Sequence, residues 1–175
     1  MSTINSSAAS GARARLNSPG TRDIQRIVYA STATHACSDE ELAQLLEKSR
    51  SNNKESGITG MLVYHEDSFL QLIEGPGPAL NHLFGKLRAD SRHTKVVLLL
   101  RERISERTFA DWTMGFARMS GSEVQTLPGM MDFAQRRISL QQLAPRRAVM
   151  FLTAFRTNLF CAADNPHAFL GTPEA

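Results

Sequence analysis

Cysteine is nearly missing from this chain of 175 residues: there are two, Cys37 and Cys161, far apart in sequence. That excludes a disulfide framework and the clustered ligands of a zinc site, and it suits a reducing cytoplasm. Long apolar runs are missing too. The longest, Val96 to Leu100 and Ala148 to Phe155, fall far short of the ~20 residues that span a bilayer. Residues 1–22 are rich in Ser, Ala, Gly and Arg and hold no apolar stretch, so they read as a flexible leader and not as a secretory signal. Neither sign of charge dominates. Lys and Arg number 20 against 17 Asp and Glu, a net of +3, too little to imply a nucleic-acid or membrane partner by itself. The excess sits at the two ends, with residues 1–26 and 136–175 each at +3 and residues 27–135 at −3.

Apolar side chains make up 42% of the chain, enough for one core and about one domain, which excludes a wholly disordered protein. Ile24 to Ser31 reads as a strand with Ile27, Tyr29 and Ser31 on one face. Ser38 and Glu41 form a capping box that opens a helix; Leu42, Leu45, Leu46 and Ser49 follow at helical spacing, and Gly57 closes it. The same stripe reaches Asn52 and Asn53, putting these amides on the buried side or its edge. Ile58 to Tyr64 and Phe69 to Glu74 read as a hairpin, and Phe69, Gln71 and Ile73 share one face of its second arm. After Gly75 and Pro76, the residues Leu80, Leu83, Phe84 and Leu87 mark a second helix to about Ala89. Thr94 to Ile104 reads as a buried strand. Asp111 to Ala117 reads as a last strand with Trp112, Met114 and Phe116 on one side.

The order β-α-β-β-α-β-β is that of an α+β, ferredoxin-like sheet carrying two helices on one face, with one extra strand. It predicts that the first and third strands are parallel neighbours at the sheet centre, which puts Tyr29 beside Gln71 beneath the helices. A C-terminal helix is predicted from Val149, Leu152, Phe155 and Leu159, or from Phe151, Phe155 and Leu159, packed on the bare sheet face or on a partner. The division expected is a leader at 1–22, a domain at 23–119, a helical extension at 120–163 and a loose tail at 164–175.

An unpaired buried amide costs about 1–3 kcal/mol, so Gln71 between Phe69 and Ile73 needs partners. Tyr29 satisfies one end. Two readings fit the remainder: a self-satisfied Gln–Tyr core pair with ordinary helix-ending Asn residues, or a cavity holding a polar heterocycle such as the imide edge of a flavin. No metal-ligand cluster, nucleophile elbow, phosphate loop or RNA-stacking strand signature appears, which disfavours an enzyme or a nucleic-acid binder. His35, His65, His82 and His93 stand apart from one another, and surface or capping roles are expected for them.

At these residues the sequence resembles the BLUF domains, bacterial blue-light sensors using FAD, of the short stand-alone type. The resemblance covers about Gln25 to Met119 and is carried by IVYAS (27–31), SRSNNKESGITGMLVY (49–64), FLQLIEGP (69–76), DSRH (90–93) and FADWTM (109–114). It implies FAD held noncovalently between the two helices by Tyr29, Ser31, Asn52, Asn53, Gln71, Lys86 and Asp90, with no metal. It further implies that Tyr29 is the photochemical electron and proton donor, and that Gln71 is the amide between Tyr29 and flavin N5 and C4=O. Asn53 would meet C4=O and N3, and Asn52, Lys86 and Asp90 the C2=O and N3 side. Trp112 and Met114 look like the pair that competes for space beside Gln71. Light would leave Gln71 rotated, tautomerised or both, without enzymatic turnover.

No cyclase, phosphodiesterase or helix-turn-helix domain is visible, so the output is expected to pass to an effector protein in trans or through self-association as a dimer or larger oligomer. Arg136, Arg137, Arg146 and Arg147 form a sparse basic set that reads as a solvated face. A flavin-free module of the same fold, serving protein interaction, is the alternative.

Overall fold

The computed structural model describes residues 23–119 and 139–156. The leader, the tail, Cys161, Leu159, Arg136 and Arg137 lie outside them. The elements are β1 (Ile24–Ala33), α1 (Asp39–Ser56), β2 (Thr59–His65), β3 (Ser68–Pro76), α2 (Gly77–Ala89), β4 (His93–Ile104), β5 (Gly115–Arg118), a single 3-10 turn (Leu140–Gln142) and α3 (Pro145–Ala154).

Local chemistry sets the boundaries of α1. The Ser38 side chain accepts from Glu41 N, and Glu41 Oε2 accepts from Ser38 N at 2.8 Å. Asp39, Glu40 and Glu41 place negative charge in the first turn, where the helix dipole favours it. Gly57 ends the helix in the left-handed region at φ 64°, a conformation that other residues adopt at a cost. The hairpin between β2 and β3 turns on Glu66 and Asp67, both with positive φ (42° and 58°). Such primed turns match the strand twist. Asp67 steadies this one by accepting the Tyr64 hydroxyl at 2.9 Å.

The sheet order is β4-β1-β3-β2-β5, so β1 and β3 are central neighbours as predicted. They run antiparallel, however, with Tyr29 directly opposite Gln71. The α1 crossover returns the chain so that β1 and β2 point the same way, and the hairpin then reverses β3 between them. Adjacency, not direction, brings Tyr29 to Gln71.

Two further expectations are corrected. The strand β4 is not buried: it closes one edge, and Val97 and Leu98 are 38% and 46% exposed. Its apolar run faces solvent in part because β1 is its one strand neighbour, and two register irregularities interrupt the pairing along this edge. The last strand starts at Gly115, not Asp111, and runs parallel to β2. Alternation therefore does not extend back to Trp112. Met114 and Phe116 join the core on the helix side, whereas Trp112 packs against the core on the opposite side.

That opposite face is not bare. Val28, Ala30, Met61, Val63, Leu70 and Leu72 meet Leu140, Leu143, Ala148, Phe151, Leu152 and Phe155 in one cluster, so the C-terminal helix covers the sheet of its own chain. The helix side holds the second cluster, in which Ile27, Tyr29, Leu62, Phe69 and Ile73 lie beneath Leu42, Leu46 and Leu80. His65 is another correction: it is 7% exposed and its Nδ1 pairs with the Met119 carbonyl at 2.9 Å, tying down the end of β5. No helix among the described residues is long and apolar enough to cross a membrane.

Candidate functional site

Between α1 and α2, above the centre of the sheet, lies an open cleft of ≈350 Å³ lined by Tyr29, Leu45, Ser49, Leu62, Phe69, Gln71, Leu87, Asp90, Arg92 and His93. A larger groove of ≈690 Å³ opens on the other flank of α1, between Leu42, Leu46 and Phe116. Its acids, Asp39 and Glu47, are exposed, and it contains neither Tyr29 nor Gln71. The chemistry converges in the smaller cleft.

Tyr29, 1% exposed, donates its hydroxyl proton to Gln71 Oε1. Gln71, 6% exposed, turns its amide nitrogen onto the Met114 sulfur at 3.1 Å. Burial raises the Tyr29 pKa well above the usual phenol value, and the nearby Asp90 charge raises it further, so the phenol keeps its proton. At the α2 end, Asp90 is chelated by Arg92, with Nη2 to Oδ2 at 2.6 Å. The Arg92 side-chain bonds are the main cause that holds Asp90 down at about 2. His93 is half-buried and its pKa is lowered, chiefly by desolvation, with Asp90 opposing. Its Nδ1 lies 2.9 Å from Ser31 Oγ, and its ring packs on Phe69 at 4.9 Å between centroids.

The structure brings Tyr29, Gln71 and Asp90 into one cleft, with Ser31 fully buried behind His93. Asn53 is buried at the end of α1 and bonds the Thr113 carbonyl through Nδ2 at 2.8 Å. Asn52 does not share its burial. It is exposed, because one residue along a helix is a turn of about 100° away from the core side. Lys86 is likewise exposed on α2. Of the expected pair, both residues now placed just before β5, Met114 touches Gln71 and Trp112 does not share its side. The Trp112 indole instead packs on Phe109 at 5.6 Å and occupies the space that a Cβ at Gly115 would need.

Sequence reasoning missed Arg92 and expected a surface or capping role for His93, which instead lines the cleft and pairs with Ser31. The signal was present in the DSRH run, but isolated charged residues near a turn gain a role only when the fold carries that turn over the cleft. Glu74 was missed as well. It is fully buried, accepts from Arg26 at 2.7 Å and from Phe109 N at 3.0 Å, and so pins the β4–β5 connection to β3. A carboxylate interrupting the apolar face of Leu70 and Leu72 was the available clue.

The donor set fits a flavin ring. A phenol, an amide, an imidazole and an Asp–Arg pair border the cleft, and Leu45, Leu62, Phe69 and Leu87 supply apolar surface for a flat heterocycle. The Gln71 amide N–H rests on a thioether, a weak acceptor, leaving it ready for a better one. Among the described residues no group of His, Cys, Asp and Glu is arranged to hold a metal.

Comparison with known proteins gives the same direction. Residues 24–115 match the BLUF family, described as sensors of blue-light using FAD. The photoactivated adenylate cyclase subunit beta of Euglena longa is 32% identical over 144 residues, covering 79% of this chain and 16% of that protein. Subunit alpha from Euglena gracilis is 33% identical, covering 73% of this chain and 13% of its own length. The chain thus spans under a fifth of these relatives. Among solved structures, the dark state of BlrB, a BLUF protein, has a TM-score of 0.59 at 30% identity and covers 74% of this chain and 96% of its own. The photo-activated state of BlsA has a TM-score of 0.65 at 26% identity, covering 74% and 91%.

Proposed function

We propose, since the chain belongs to the BLUF family of blue-light sensors using FAD, that Tyr29 and Gln71 are its photoactive pair and that light acts by exchanging their hydrogen bonds. The BLUF domain at residues 24–115 is a sensor module. The observation that carries the reading is the buried chain of contacts from the Tyr29 hydroxyl to Gln71 Oε1 and from Gln71 Nε2 to the Met114 sulfur.

Bound FAD supplies blue-light absorption and, once excited, a strong oxidant. Tyr29 is the group set to yield an electron and its hydroxyl proton. Its raised pKa keeps that proton in place in the dark. Gln71 has an acceptor end and a donor end, and only its orientation or tautomer decides which of them faces Tyr29 and which faces Met114. Asp90 serves as a polar contact from the α2 end, Ser31 acts through His93, and Asn53 contributes the amide oxygen and second N–H that its bond to Thr113 leaves over. Asn52 and Lys86 contribute only from the rim, given their exposure.

Output is assigned to the segment that carries Trp112 and Met114, with Trp112 as the alternative occupant of the space at Gln71. Two contacts support this route toward the C-terminal part. The Arg156 guanidinium donates to the Thr108 carbonyl, and Phe109 and Trp112 pack in the cluster that α3 shares. The recipient is an effector protein in trans or a second copy of the chain, and a reducing cytoplasm is the compartment that suits Cys37, free among the described residues.

Purified protein should be yellow and should show a reversible red shift of flavin absorption under blue light. Tyr29→Phe and Gln71→Ala should each abolish the shift while retaining flavin. A full photocycle in either variant overturns the assignment.

A further inference from the structure

The backbone leading into β5 is held by its carbonyls. Trp112 O accepts from Gly60 N at 2.9 Å, Thr113 O from Asn53 Nδ2 at 2.8 Å, and Met114 O from Arg50 Nε at 3.0 Å. Three successive acceptors meet three donors, two of them side chains one turn apart on α1. Met114 is consequently held at both ends, by Arg50 at its carbonyl and by Gln71 at its sulfur. The two contacts are unequal. A thioether is a weak acceptor and anchors little, whereas a guanidinium on a carbonyl makes a charge-assisted bond.

We propose that Arg50 is a positioning residue of the photoswitch: by fixing the Met114 carbonyl it keeps the Met114 sulfur against Gln71 and so favours the amide orientation in which Nε2 faces sulfur. The inference rests on the reading of Tyr29 and Gln71 given above. An amide turned the other way sets its oxygen against the sulfur lone pairs. A firmly held Met114 penalises that arrangement and hastens its decay, and a Met114 free to withdraw does not. Arg50 lines the groove on the far flank of α1 and is not among the residues of the cleft, so its influence on the flavin signal runs through Met114.

The test is a double-mutant cycle on the full chain loaded with FAD, following dark recovery after a blue flash. Arg50→Ala is expected to slow recovery about fivefold, the scale of one lost hydrogen bond. Arg50→Lys, which keeps a cationic donor, should restore most of the rate. In a Met114→Leu background, Arg50→Ala should change recovery by less than about twofold. Equal effects in both backgrounds, as from a purely structural arginine, overturn the proposal, as does an unaltered rate in the native background. If Arg50→Ala does not retain flavin, Arg50→Lys and Arg50→Gln in the same cycle decide between these outcomes. Absence of the red shift in the unaltered chain, or its persistence in Gln71→Ala, is a separate result that overturns the Tyr29–Gln71 reading and this inference with it.

Discussion

A phenol taken out of water keeps its proton because phenolate is costly there, and both tyrosines of the chain have raised pKa values. Burial raises the Tyr29 pKa far above the solution value. Tyr64 is pushed up to about 12, mainly by desolvation, with the Cys37 N–H opposing and Asp67 adding to the rise. In the unfolded chain both titrate near ~10. The folded state therefore binds more protons above that pH, and the stability it gains from neutral phenols is lost as pH rises through the folded values. Near-ultraviolet titration should show no tyrosinate at pH ~10.5 in the native protein and extensive ionisation in urea; a native signal near ~10 would refute the buried assignment. The pair itself was legible in sequence, because period-two alternation places Tyr29 with Ile27 and Gln71 with Phe69 and Ile73. His93 was not, since its burial comes from Phe69 and Ser31, residues far away in the chain.

At the scale of elements, boundaries written in local chemistry were readable and relations between distant elements were less so. The capping box and Gly57 delimit α1 without help from the rest of the fold. Strand direction depends on how a crossover closes, and an apolar run such as 96–100 cannot reveal that it forms an edge. The stretch before β5 misled because its spacing imitates a strand while its carbonyls are bound by side chains and one distant amide. Glu74 is the other restraint on that stretch. Its carboxylate receives the Arg26 guanidinium and the Phe109 amide with no solvent exposure, and Arg26 continues to Glu102 and Thr108. Breaking a buried pair by removing one partner costs about 3–5 kcal/mol. Because Arg26 retains Glu102, Glu74→Ala should fall near the lower end, about 3 kcal/mol, in urea unfolding. A loss under about 1 kcal/mol would mean that water replaces the carboxylate freely. The variant should also release residues 108–112, detectable as faster hydrogen exchange at Phe109.

For the whole molecule, the sheet divides two cores with different duties. The helix side surrounds the cleft, and the other side joins the sheet to α3. That the C-terminal helix seats on its own sheet follows from amphipathicity: Ala148, Phe151, Leu152 and Phe155 are buried while Met150 is 51% exposed. A substitution in this second core should thus affect stability without altering the colour of bound flavin. Leu152 is fully buried against the sheet face that carries Val28, Ala30 and Leu70. Leu152→Ala should lower unfolding free energy by about 2–5 kcal/mol, the transfer loss plus the cavity left behind. Its dark absorption spectrum and its light-induced red shift should stay as in the unaltered protein, because Tyr29, Gln71 and Met114 project to the opposite side of the sheet. The informative comparison is dark recovery in the same variant. The second core also holds Phe109 and packs Trp112, so a loosened α3 should change the recovery rate while leaving the amplitude of the shift intact. An altered amplitude would show that the two cores are not independent at the cleft.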